Sequence, residues 1–375
     1  MEVLVSRKTI LRCLLAGILM GTVSTCWGQD AEDGLAASKR HPLPGGDYHP
    51  FAANSPFNVP IPASPKLDPH STQIISTLLG MTNNSLGIIR AAASPKNIDY
   101  TFPFYYSLPT DPVFTVKCFY NGPPPKWGRC PLQNAQIHIP SYALPENSGG
   151  APLSSDHHLA IIDPQTNTEY DMWASAKPEP GGGTLRIGWG GTGPTTGPGI
   201  NVFGATASGF ALTIGIVRAA DMKAGVIPHA LQMAIPCAAD GVYPAAVPSD
   251  LQCAAGAIAP YYGMRMQLDM TDTEIQALNA PSYVKTLYTA LAHYGAFVSD
   301  TGTGDSIGFQ TEGGLTYTQL GMADPWVALA QANGLTPDPP EPDPLAAYRF
   351  PLDVSGVDLS KRLRVIAPCV TAGTC

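Results

Sequence analysis

The chain has 375 residues, of which 44% are hydrophobic and only 13% charged, with 38 glycines and 38 prolines. That length allows a large core, and the Gly and Pro content predicts a globular chain with many loops. The formal net charge of -8, with no Lys/Arg cluster of phosphate-binding type past the first residues, argues against a nucleic-acid partner; a neutral or mildly cationic ligand fits better, and a local basic pocket for an acidic sugar stays open.

The N-terminal stretch reads as a leader. Arg7, Lys8 and Arg12 form a basic segment, Leu14 to Val23 an apolar core too short to span a bilayer, and Cys26-Trp27-Gly28 supplies small residues for signal-peptide cleavage after Gly28. Lipidation at Cys26 is the second reading, but Val23-Ser24-Thr25 makes a poor lipobox. Later runs are too short or too polar to cross a membrane, so the expected product is secreted or periplasmic. Removing residues 1–28 leaves Cys118, Cys130, Cys237, Cys253, Cys369 and Cys375, an even number in an oxidising compartment. Of the 15 pairings open to six cysteines, proximity favours 118 with 130, 237 with 253, and 369 with 375.

Residues 29–53 are polar and proline-rich and read as a flexible arm; residues 54–375 read as one catalytic domain, with Phe57 as an early core anchor. Ser71 is expected to cap a short helix whose Ile74, Ile75, Leu78 and Leu79 share a face. Extended pieces at 101–107, 113–120 and 135–139, separated by Pro and Gly, predict antiparallel strands. His138 on the last of them is a structural histidine in one reading and a site residue in the other.

The centre of the chain is Ser155 to Trp173. Leu159 to Ile162 and Glu169 to Trp173 form a hairpin broken at Asp163-Pro164. Strand alternation would project Asp156 and His158 together, and Glu169, Asp171 and Trp173 together. Gly188, Gly190 and Gly193 match G-x-G-x-x-G, but Pro194 and Pro198 oppose the helix that a dinucleotide site needs. Trp173 and Trp189 suit either sugar stacking or core packing. Small residues at 204–209, including Thr206, precede an expected strand at 210–217, a helical turn at 219–223, and a strand at 227–235 that His229 opens.

Tyr261 to Leu268 alternates, with Arg265 on its polar face. Val284, Leu287, Leu291 and Tyr294 mark a helix over 281–296 that Gly295 should stop. Asp300 then ends a strand at a Gly-rich loop, either pointing into a cleft or making an Asx-turn. A second helix is expected at 325–332 and a closing strand at 363–367. Taken together, the elements predict a mainly β chain, an antiparallel β-sandwich of jelly-roll type with a few short peripheral helices.

The succession D-x-H-L-x-x-x-D, E-Y-D, G-A-T-A-S-G-F, I-x-H-A-L and H-Y-G-x-x-x-x-D-T-G, between Asn54 and Phe309, resembles a group of exported bacterial β-sandwich proteins. That resemblance singles out Asp156, His158, Asp163, Tyr170, Asp171, Thr206, His229 and Asp300 without assigning chemistry to them. Glu169 and Asp171 two residues apart also resemble the carboxylates of laminarinase-type glycosidases, although the full E-x-D-x-x-E pattern is absent.

Glycosidic cleavage needs two carboxyl groups across the scissile bond. The expected activity is therefore hydrolysis of a polysaccharide or oligosaccharide by a monomer, with catalytic candidates Asp156, His158, Asp163, Glu169, Tyr170, Asp171, His229 and Asp300, and Trp173, Trp189, Thr206 and Arg265 holding substrate. A polysaccharide lyase is the rival, with His158 or His229 as base, Tyr170 as proton donor and Arg186 or Arg265 on the uronate. A binding module without catalysis is the third reading. No cofactor is expected; structural Ca²⁺ is conceivable, but no D-x-D-x-D-G loop is present, and His157 with His158 is a weak zinc pair because strand neighbours face opposite ways.

Overall fold

The structure, a computed structural model, describes residues 51–92, 101–121, 128–147, 156–200, 204–240, 253–254, 256–336 and 347–375. The expected leader and most of the expected arm lie outside these residues. All described residues belong to one compact unit, His41–Cys375.

In chain order the elements are α1 (Ser71–Met81), β1 (Ile88–Ala92), β2 (Phe104–Tyr106), β3 (Val113–Cys118), β4 (Gln136–His138), β5 (Leu159–Asp163), β6 (Thr168–Trp173), β7 (Gly183–Ile187), β8 (Trp189–Pro194), α2 (Ala219–Ala224) and β9 (Leu231–Ile235). They continue with β10 (Arg265–Leu268), α3 (Asp272–Ala277), α4 (Ser282–His293), β11 (Ala296–Thr301), β12 (Gly308–Phe309), α5 (Leu315–Thr318), α6 (Pro325–Ala332), β13 (Ala347–Pro351), α7 (Leu359–Arg362), β14 (Leu363–Val365) and α8 (Pro368–Thr371).

The chain is mainly β. Its strands form a seven-stranded sheet, β13-β1-β12-β9-β11-β10-β14, a four-stranded sheet, β2-β5-β6-β8, and a three-stranded sheet, β4-β3-β7. Each sheet contains a parallel pair: β1 with β12, β9 with β11, β2 with β5, and β3 with β7. This corrects the expectation of purely antiparallel strands. A parallel pair needs a long crossover, and the segment between β9 and β11, which carries α3 and α4, supplies one.

The apolar periodicity of α1 and α4 settles where they pack. Ile74, Ile75, Leu78 and Leu79 of α1 join Val284, Leu287, Tyr288 and Leu291 of α4 in a core with Leu231, Met233, Met266 and Val298 of the large sheet. Ser71 is the first residue of α1 and His70 its N-cap; the Ser71 hydroxyl instead accepts the Val365 N–H at 2.8 Å and ties α1 to β14. Gly295 ends α4 with φ +71°, and a Cβ there would stand 2.2 Å from the Met266 carbonyl, so the stop is enforced by both backbone and packing. Phe57 is fully buried, with its ring 5.4 Å from Phe210 and 4.5 Å from Phe297. All three expected disulfides are present, Cys118–Cys130, Cys237–Cys253 and Cys369–Cys375.

Two expected strands form differently. Residues 210–217 are turn-rich and buried, with no ladder of their own beyond a bridge from Val217 to Thr311. Buried backbone groups must find partners, and side chains provide them: Leu212 N–H donates to Asp171 Oδ2 at 3.1 Å and Thr213 N–H to Glu169 Oε1 at 2.9 Å, while Gln232 Nε2 donates to the Ala211 carbonyl at 2.9 Å. β10 is buried at every position, so its polar residues, Arg265 and Gln267, do not reach solvent as half-buried alternation predicts.

Candidate functional site

A cavity of about 300 Å³ lies where the start of β5 meets the ends of β9 and β11, with Asp156, His158 and Asp300 all in its wall. β9 and β11 run parallel, and the carboxyl ends of parallel strands are where such sheets leave room for ligands. The rest of the wall includes Phe102, Phe309, Thr301, Gly302, Thr303, Gly304, Ser306 and Gln310.

Local backbone irregularities aim the three side chains. β5 begins only at Leu159, and His157 has φ +46°, a left-handed conformation that a non-glycine residue adopts at a cost of order 1–3 kcal/mol and that gathers at functional sites. The chain is pinned there because Ala174 N–H donates to the Asp156 carbonyl at 2.7 Å and Ser175 N–H to that of His157 at 3.1 Å. In β11 the register slips between Val298 and Asp300. Such a bulge re-aims the side chain that follows it, here Asp300, whose carboxylate accepts the Thr301 N–H at 2.8 Å.

Asp156 Oδ1 accepts the indole N–H of Trp173 at 2.9 Å, and Trp173 in turn stacks on Tyr120 with centroids 5.9 Å apart. His158 lies edge-on to Phe102 at 4.6 Å, and its Nδ1 is 3.9 Å from Glu146 Oε2. The Glu146 N–H donates to the His158 carbonyl at 3.0 Å, which fixes the two side by side. Burial opposes a charged imidazole, but the carboxylates of Glu146, Asp156 and Asp300 outweigh it and hold the His158 pKa up to about 9.

The other sequence candidates stand elsewhere. Glu169 and Asp171 are each 1% exposed and line no described cavity; they hold the buried 210–213 segment, with the Thr213 hydroxyl also donating to Glu169. Burial raises both carboxyl pKa values, and the Glu169 charge raises that of Asp171 further. Asp163 closes the hairpin turn, accepting Gln165 N–H at 2.9 Å and the Thr166 hydroxyl at 2.8 Å. Tyr170 faces the apolar cluster of the smaller sheets.

His229 is buried against Ala230, with Nε2 3.7 Å from Asp221 Oδ2, which Arg218 also holds at 2.8 Å. The Thr206 hydroxyl donates to the Phe210 carbonyl at 3.0 Å. Trp189 is buried in the core, while Trp173 is half-buried beside Asp156. Arg265 is spent on backbone, its guanidinium reaching the Tyr294 carbonyl at 2.8 Å and that of Val59 at 2.7 Å over the Phe297 ring, and burial brings its pKa down to about 10. His138 bonds the Asp111 carbonyl at 2.9 Å.

Glu146 and Gln310 were missed by sequence reasoning, and nothing in Leu-Pro-Glu-Asn or Phe-Gln-Thr marks them. No family model, curated protein or solved structure matches the chain, so its function is read from the geometry of the cavity.

The burial of Asp171 predicts that Asp171→Ala destabilises the fold by about 1–3 kcal/mol, because the buried Leu212 N–H loses its acceptor. Chemical denaturation of the wild type and the variant checks this; unchanged stability would mean that the Leu212 amide does not depend on Asp171.

Proposed function

We propose that the protein is an exported glycan-cleaving enzyme, a hydrolase working at the cavity between β5 and the ends of β9 and β11. The observation that carries this reading is the meeting of Asp156, from the segment before β5, and Asp300, from β11, in one cavity wall. Two carboxyl groups facing one space are the minimum that glycoside hydrolysis requires. The Thr, Ser and Gly residues of the wall suit a polar ligand such as a sugar. A sandwich-like cleft between the two larger sheets is part of the reading, and the three disulfides fit an oxidising compartment. Among the described residues no helix is long and apolar enough to cross a membrane.

The lyase reading has less support. Its proton donor Tyr170 and its cations Arg186 and Arg265 are absent from the cavity wall, Arg265 being bonded to backbone carbonyls instead. A panel of purified glycans separates the readings. The hydrolase releases reducing ends with no new ultraviolet absorbance; a lyase adds the absorbance of an unsaturated uronate; release of neither from any glycan would leave a binding module as the better reading.

A further inference from the structure

We propose that Glu146, Asp156 and His158 form a binding site for one divalent first-row metal ion, of Mn²⁺ or Zn²⁺ type, with Asp156 and His158 in the wall of the cavity and Glu146 buried behind them. One ligand atom from each of the three lies within 4.8 Å of the others. Ligands held about 2.0–2.2 Å from one ion stand roughly 3–4.4 Å apart, so a small contraction brings all three into one coordination shell. The imidazole supplies the second, independent observation. His158 is 3% exposed, and its Nδ1 makes no hydrogen bond although it points at Glu146 Oε2 across 3.9 Å. A buried polar atom ordinarily has a partner at hydrogen-bond distance, and 3.9 Å is too long for one but suits two ligands of a shared cation.

The surroundings also fit. Trp173 occupies Asp156 Oδ1 and orients the carboxylate, the outer-shell support that metal ligands characteristically have. The Glu146 N–H bond to the His158 carbonyl keeps two of the ligands in register. One nitrogen with two carboxylates favours a borderline transition ion over Ca²⁺ or Mg²⁺, which prefer all-oxygen shells. Three protein ligands leave positions open toward the cavity, where neighbouring sugar hydroxyls are suitable donors. The site does not depend on glycan cleavage: an ion can bind whether or not any glycan is cut.

The test is calorimetric titration of the full exported chain, stripped with EDTA, with MnCl₂, ZnCl₂ and, for contrast, CaCl₂. The expected result is saturable binding of one Mn²⁺ or Zn²⁺ per chain and little binding of Ca²⁺. Losing a direct ligand should exceed the roughly 10–100-fold that outer-shell changes cost, so Glu146→Gln should weaken binding by more than about 100-fold. Asp156→Asn, at a half-buried position where misfolding is a smaller concern, should do the same, while Asp163→Asn in the hairpin turn should leave affinity unchanged. Co²⁺ bound to the wild type should show visible d–d bands that His158→Gln abolishes. Absence of saturable binding, or binding that survives in folded Glu146→Gln and Asp156→Asn, would overturn the proposal.

Discussion

Asp300→Asn should lower kcat by about 10²–10⁴-fold, the usual loss when a positioned proton-transfer group is removed, on whichever glycan the panel identifies. Asparagine keeps the size of the side chain and the acceptor for Thr301 N–H, so folding should be preserved and the melting temperature should stay close to that of the wild type. The bulge after Val298 is what turns residue 300 toward the cavity, and Asp300 does not belong to the Glu146, Asp156 and His158 cluster. The Asp300 charge acts on His158, so Mn²⁺ affinity is measured alongside, and loss of turnover in Asp300→Asn with unchanged affinity reports on the reaction separately from any metal. Steady-state kinetics with a melting curve decides it. Full turnover by a folded Asp300→Asn would move the reaction out of this cavity.

What the sequence revealed tracks the range of the interactions involved. α1, α4, α6 and the β5–β6 hairpin were legible because their signals are periodic and local, and the three disulfides because each closes a short loop. The parallel pairs were not, since β9 and β11 meet across a crossover that carries α4, a helix that reads as peripheral from its own residues. Asp156 and His158 do share a wall, but for a different reason: the left-handed turn at His157 aims them, and strand alternation does not. Asp300 was visible as a carboxylate before glycines.

Glu169 and Asp171 misled because charge in a strand signals either a site or a buried acceptor. Only the course of residues 210–213, whose amides need those acceptors, distinguishes the two. Gly204 belongs to the same constraint: a Cβ there would stand 2.0 Å from the Phe210 carbonyl and 2.8 Å from Asp171 Oδ2, so the small-residue run lets the segment close over the carboxylates. Glu146 was illegible, because its partner His158 is twelve residues away across a stretch with no periodic pattern.

Glu312 gives a large effect of the opposite kind, a gain in stability. Its carboxyl is buried, takes the first N–H of α2 from Ala219 at 2.7 Å and the Tyr317 hydroxyl at 3.1 and 3.0 Å, and lines no described cavity. Burial raises its pKa from 4.5 to about 7, more than the Ala219 and Tyr317 hydrogen bonds and the Arg218 charge lower it. A folded-state pKa above the unfolded value means that the stabilisation from the protonated acid is fully present below about pH 4.5. It is lost as pH rises from there through about 7, and it stays lost above. The difference corresponds to about 3 kcal/mol at most.

Glu312→Gln keeps a carbonyl for the Ala219 N–H and carries no charge to desolvate. It should match the wild type near pH 4, draw ahead between pH 4.5 and 7, and be more stable by up to about 3 kcal/mol at pH 8. Glu169 and Asp171 contribute a pH dependence of the same sign, but they are common to both proteins, so the difference between the two curves isolates Glu312. Chemical denaturation of both proteins across this pH range is the measurement. A constant offset between them, or a variant weaker at pH 8 than at pH 4, would mean that the carboxyl group is already neutralised by its neighbours in the fold.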